Sequence, residues 1–238
     1  MKLGLCALVA SMVTVVAPAF AGPPILCNAI EVGKATTLPM GNDPLTCDAG
    51  YDAAHVVKDT LAVLKSDAAP LVRMETLRRA TVYVAKEEGR AKELFARVMG
   101  LALDAQAAKE DSAAAMFDAG FLAACYGEMG LKLGWKPGAE GGVAGYGWIK
   151  AGIEGTAAGS AERAQMEFGA ALATHPLEHT EPGVRNAYEA HLRRAQEGAK
   201  EGSVLAVNLK AHHAKWDGYI AQHDEKVQQE AEKRAEKK

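Results

Sequence analysis

The chain has 238 residues, with 27 basic and 30 acidic groups for a formal net charge of −3, and is 49% hydrophobic but only 6% aromatic. A balance this near neutral argues against nucleic acid or an anionic membrane surface as partner. Abundant alanine beside few aromatic and β-branched residues argues against a large sheet and for helices packed closely through small side chains.

The first 21 residues have the three-part layout of a secretory signal: Lys2 as the positive region, an apolar run from Leu3 to Ala17, and Ala19-Phe20-Ala21 as an A-x-A cleavage site. The mature chain is therefore expected to start at Gly22 and to work in the periplasm or as a secreted protein. Cys27 follows Pro24-Ile25-Leu26, which lacks the small residue a lipid-modified cysteine needs in front of it. Cys6 leaves with the signal. Of the remaining cysteines, Cys27 and Cys47 flank a segment punctuated by Gly33, Pro39, Gly41, Asn42 and Pro44. In an oxidising compartment that pattern predicts a disulfide closing residues 22–52 into a loop, with one short strand near 27–32. Cys125 falls in an apolar stretch and is expected to be a buried free thiol.

From residue 53 the apolar positions recur at helical spacing. Asp52 is placed to cap a helix with the stripe Ala53, Val57, Thr60, Leu61 and Leu64. Pro70 suits the first turn of the next helix, which carries Leu71, Met74, Leu77, Thr81 and Val84, with Glu75 and Arg79 spaced for an ion pair. A third helix follows Gly89 through Leu94, Val98, Leu101 and Ala105, with Glu93 and Arg97 on its wet face. Ser112 to Tyr126 is apolar nearly all round apart from Asp118, so it should be covered by other elements on most faces.

Glycines crowd residues 127–147, which reads as a joint between a first helical half (53–126) and a second (148–221). The second half should hold helices near 143–154, at 160–173 with Ala164, Phe168, Ala171 and Leu172 inward, and at 184–195 with Ala187, Tyr188 and Leu192 inward. Ser203 is placed to cap a last helix carrying Leu205, Leu209, His213, Trp216 and Ile220. The tail 222–238 is almost wholly polar and is expected to fray. The fold class expected is all-α, built of antiparallel helical hairpins in a solenoid-like stack or irregular bundle behind a disulfide-closed N-terminal loop.

Few residues carry a chemical signature. His175-Pro176-Leu177-Glu178-His179 fits the H-x-x-E-H pattern of inverted zinc peptidases, in which both imidazoles ligate zinc and the carboxylate activates water. Pro176 and Pro182-Gly183 disfavour the continuous helix that chemistry needs, so an interhelical loop is the expected reading. His212 and His213 with Trp216 and His223 form a second candidate group, against a packed core role for each. Trp135, Tyr146 and Trp148 surround the joint and are either core plugs or contacts for a ligand or partner. P-loop, dinucleotide, G-x-S-x-G and C-x-x-C patterns are absent, so no cofactor is expected.

Tyr146 to Glu154 resembles the second helix of a tetratricopeptide hairpin, and Val72 to Val84 resembles a HEAT-type helix. Each resemblance covers one helix, no period near 34 or 40 residues repeats, and no active residue is carried over. What it implies is a scaffold that binds other chains. The expectation is an exported interaction protein whose partner is another protein of the cell envelope. The alternative is a periplasmic enzyme or small-ligand binder with a site assembled from separated residues such as His175, Glu178, His191 and His212, or from the Trp/Tyr joint.

Overall fold

A computed structural model describes residues 25–130, 145–175 and 182–215. The signal stretch 1–21, Trp135, Glu178, His179, Trp216, Ile220, His223 and the tail 222–238 lie outside the described residues. Within them the protein is all-helical and has no strand. A single 3-10 turn, Ala53–His55, leads into α1 (Val56–Leu64), followed by α2 (Pro70–Val84), α3 (Glu88–Ala108), α4 (Ala113–Glu128), α5 (Tyr146–Gly155), α6 (Ala161–Ala173) and α7 (Pro182–Gly198). Residues 204–215 form a further helix, α8. Among the described residues no helix is long and apolar enough to cross a membrane.

The local signals act as expected. Asp52 Oδ1 accepts from the Ala54 amide at 2.9 Å, Pro70 occupies the first turn of α2, and Ser203 Oγ accepts from the Ala206 amide at 3.2 Å. Leu71, Met74, Leu77, Thr81 and Val84 are all buried. So are Ala164, Phe168, Ala171 and Leu172 of α6 and Leu205 and Leu209 of α8, where His212 rather than His213 continues the buried stripe.

One core runs through both halves of the chain. Phe117 of α4, Met74 of α2 and Gly169 of α6 meet there, so closely that a Cβ on Gly169 would stand 2.3 Å from the Met74 sulfur and 2.7 Å from the Phe117 ring. Each fully buried Leu or Phe in such a core is worth roughly 1.5–3 kcal/mol. α4 packs most closely on α5, and backbone approaches backbone. A Cβ on Gly120 would lie 2.6 Å from the Ile149 amide nitrogen and 2.7 Å from the Gly145 carbonyl oxygen, and one on Gly152 would lie 2.6 Å from the Ala113 carbonyl oxygen. Gly145 also takes a left-handed φ of 77°, which favours glycine at the entry to α5.

The most completely covered helix is α2 rather than α4. Every residue of α2 except Arg79 is buried, including Arg73, Glu75 and Arg78. Arg73 forms a two-point ion pair with Asp118 of α4 and donates from Nη1 to the Leu64 carbonyl at 2.7 Å. Burial pushes the Asp118 carboxyl up to about 6 against the pull of Arg73, which leaves it ionised at neutral pH.

The remaining buried charges hold residues 25–51, an irregular, turn-rich strap laid over α2. The disulfide expected to close this segment is not formed, for Cys27, Cys47 and Cys125 are all free. The expected strand near 27–32 is likewise not formed: a turn and bend at residues 27 and 28 lead into irregular chain. The two thiols face different surroundings: Cys27 sits near Glu128, Arg78 and Lys215, whereas Cys47 is exposed beside Lys86. Arg78 does the closing in place of sulfur. Its Nη1 donates to the carbonyls of Leu26 (3.0 Å) and Pro44 (2.7 Å), while Nε and Nη2 grip the Glu75 carboxylate at 2.7 and 2.8 Å. Glu75 in turn accepts from Arg79 Nε (2.6 Å) and from the Ile30 amide (3.0 Å), and Arg79 donates to the Leu38 carbonyl at 2.5 Å.

Three other side chains pin the ends and middle of the strap. Glu128 accepts from the Ile25 and Leu26 amides at 3.1 and 3.0 Å, and burial pushes its carboxyl up to about 7 with those two amides opposing. The Tyr83 hydroxyl donates to Pro39 O at 2.9 Å and accepts from the Asp48 amide at 3.0 Å. Asn208 of α8 pairs with both backbone groups of Glu31, at 2.8 and 2.9 Å. A segment without sheet partners thus satisfies its buried backbone largely through side chains.

Candidate functional site

Three features of the described residues have the composition of a site. The first is an open groove of about 400 Å³ between α1 and α3. Val57, Leu61 and Ala62 of α1 give it an apolar floor. Lys58 and Lys65 stand along the α1 rim, and Arg90, Glu93 and Arg97 along the α3 rim. The floor arises because α1 turns its apolar stripe toward the core and the edge of that stripe stays open beside α3; Val57 and Leu61 are each 8% exposed. Arg90 is bound to Glu87 at 2.6 Å, whereas Lys58, Lys65 and Arg97 have no ion-pair partner among the described residues.

The second feature is a chain of carboxylate, imidazole and phenol linking α6, α7 and α5. Glu167 Oε2 lies 2.5 Å from His191 Nδ1, and His191 Nε2 lies 2.7 Å from the Tyr146 hydroxyl. An ionised carboxylate only accepts, so the proton belongs on Nδ1 and Nε2 is left to accept from the phenol. Arg194 Nε binds the other oxygen of Glu167 at 2.8 Å. Its Nη2 also stands 2.8 Å from His191 Nδ1, a packing contact once that nitrogen's proton points at the carboxylate. Burial alone would raise the Glu167 carboxyl, but hydrogen bonds from His191 and Arg194 bring it below its usual range. Burial pushes the Tyr146 phenol up, with Arg194 opposing, so the phenol keeps its proton at neutral pH. Lys150 lies over the Tyr146 ring, 5.1 Å from its centre.

The third feature is an aromatic and imidazole cluster where α6, α7 and α8 meet. The His175 ring centre is 5.1 Å from that of Tyr188 and 5.5 Å from that of His212, and Phe168 stands edge-on to His212 at 5.9 Å. The Tyr188 hydroxyl is 2.9 Å from His212 Nε2. Burial, with His212 adding to it, lowers His175 to about 3; burial, with His213 and Lys215 adding, lowers His212 to about 4. Both are therefore neutral at physiological pH. Beside them a cavity of about 30 Å³ lies under the strap, lined by Asn28, Phe168, Asn208 and His212, room for about one water.

These positions separate the residues that the sequence singled out. His175 and His212 come together, as do Tyr146 and His191, but the two pairs occupy different clusters. His213 bonds Gln196 at 2.6 Å. Trp148 is half-buried with its ring centre 6.4 Å from that of Phe95. Among the described residues no three His, Cys, Asp or Glu side chains converge in a metal-holding group. Glu167, Arg194 and the paired rims of the groove were not singled out as site residues, because Glu167 and Tyr146 belong to different helices and a lysine on a helix reads as ordinary wet surface. The seven-residue spacing of Lys58 and Lys65, and of Arg90 and Arg97, was the signal available for the groove. No protein-family model, no curated protein and no solved structure matches this chain.

Proposed function

We propose that the protein is an exported, non-enzymatic interaction module of the cell envelope, in which helical hairpins form a rigid body and the α1–α3 groove receives another protein. The observation that carries the reading is the groove, an apolar floor between rims that hold three cations without an ion-pair partner among the described residues. Apolar surface ringed by polar groups is the composition of docking sites rather than of inert surface. The N-terminal signal layout supports a place outside the cytoplasm, and mature protein beginning at Gly22 is its check. For docking, a photo-crosslinking residue at Ala62 should give a discrete protein adduct in intact envelopes, and the adduct should vanish when Lys58 and Arg97 are both replaced by Glu. An adduct indifferent to those replacements counts against the groove.

A second reading rests on Glu167, His191 and Tyr146, whose order of carboxylate, imidazole and hydroxyl is that of a proton relay. On this reading the protein is an enzyme acting through the Tyr146 hydroxyl. Its check is a panel of activated esters and phosphate esters: turnover by the natural protein, lost in Tyr146→Phe with stability unchanged, establishes it. Absence of turnover, with Tyr146→Phe merely less stable, leaves the relay as a structural tie among three helices.

A further inference from the structure

Resting on the interaction-module reading, we propose that the occupant of the α1–α3 groove is an acidic amphipathic helix of another protein, about two to three turns long. Lys58 of α1 and Lys65, which caps its C-terminal end, are seven residues apart, and Arg90 and Arg97 are seven apart on α3. Seven residues are two helical turns, so each rim repeats its positive charge at about 10.5 Å. The floor between the rims consists of alanine and aliphatic side chains. A helix carrying carboxylates two turns apart along both flanks, and small apolar residues between them, matches both spacing and composition.

Other anionic partners fit less well. A phosphate backbone gains nothing from an apolar floor. The four cations of the groove, set against Glu93 and the Arg90-bound Glu87, leave a local excess of +2, while the whole chain has a net charge of −3, so a long polyanion meets repulsion beyond the groove. A bilayer is flat, whereas Val57 and Leu61 of the floor are only 8% exposed and lie in a groove between two helices. Side chains projecting from a helix reach that floor. Glu93, between Arg90 and Arg97 on the same rim, is a like charge that an acidic helix meets. It selects the register that puts a neutral or basic partner residue opposite it.

The test uses the full mature chain and a dye-labelled 18-residue peptide with Glu at positions i and i+7 on both flanks and Ala or Leu between. Controls are a scrambled peptide of the same composition, a single-stranded oligonucleotide and vesicles of anionic lipid. Fluorescence anisotropy should show the designed peptide binding about tenfold or more tightly than the scrambled one. Lys58→Glu with Lys65→Glu should weaken it by a similar factor, and binding should fall with added salt. All of these side chains but Arg90 are exposed, so circular dichroism should be unchanged. Equal binding of the two peptides, or binding of the oligonucleotide or vesicles alone, overturns the proposal. A groove-dependent envelope adduct at Ala62 to a partner segment without acidic flanks would refute the acidic helix while keeping the interaction module. Absence of both adduct and peptide binding would refute both.

Discussion

Replacing Arg78 tests whether buried charge, in place of sulfur, closes the N-terminal strap. Arg78 makes four hydrogen bonds in a site where its side chain and that of Glu75 are both 0% exposed. In Arg78→Leu the Glu75 carboxylate keeps Arg79 and the Ile30 amide, so the charge is not stranded, and the loss should fall near the lower end of the 3–5 kcal/mol typical of a broken buried pair. The carbonyls of Leu26 and Pro44 lose their donor, at roughly 1 kcal/mol or more each. A total of about 4–6 kcal/mol is a large part of the roughly 5–15 kcal/mol by which domains are stable. Arg78→Lys keeps the charge but cannot grip a carboxylate with two nitrogens while reaching two carbonyls, so it should lose about half as much. Urea denaturation with an unchanged slope gives the energies, and hydrogen exchange of residues 25–51 shows where they act. If Arg78→Leu stays within about 1 kcal/mol of the natural protein, or strap amides exchange no faster, the clamp is not what holds the segment.

Further outcomes follow from the packing and the titrating groups. Gly120→Ala places a methyl against backbone atoms of α5 that cannot swing aside, and should cost about 1–3 kcal/mol despite alanine's better helix propensity; unchanged thermal stability would show that α4 and α5 can separate. His212 titrates at about 4 in the folded chain against 6.5 when unfolded, so the unfolded state takes up the proton first and stability falls as pH drops from 6.5 toward 4. His212→Gln should remove about 3 kcal/mol of that dependence, read as the difference between two curves of unfolding free energy against pH, since Glu128, raised to about 7, tilts both curves the opposite way. Parallel curves would mean that the imidazole is not desolvated. Iodoacetamide on native, unreduced protein should label Cys47 quickly and Cys125 only after unfolding; a Cys27–Cys47 disulfide peptide would contradict the free thiols.

Helix positions were legible because Leu71, Met74, Leu77 and Val84 repeat at helical spacing and because Asp52, Pro70 and Ser203 mark starts by mechanisms local to each end. The same logic named the Glu75–Arg79 pair, which forms at 2.6 Å, but was silent on the burial of Arg73, Glu75 and Arg78. Charged residues on a helix ordinarily face water, and nothing within α2 reveals that the strap and Asp118 cover them from 34 to 52 residues away. A helix with charge on every side and little amphipathic contrast was the available hint. The disulfide expectation came from composition and turn residues, which marked a folded-back segment correctly but not what holds it. The Glu167–His191–Tyr146 chain joins three helices across up to 45 positions, a convergence that no local pattern encodes.

The strap also constrains the order in which the chain can become native. Its tie to α8 joins Glu31 to Asn208, 177 residues away, and Asn28 to Lys215, 187 away. The bonds between α2 and the strap span only 34 to 52 positions, so they can form while α8 is still unstructured. Glu75, Arg78 and Arg79 can therefore be covered early, and Asn208 closes over the Glu31 backbone afterwards. Local opening of α8 should release this last latch alone and leave the α2 clamp holding the strap.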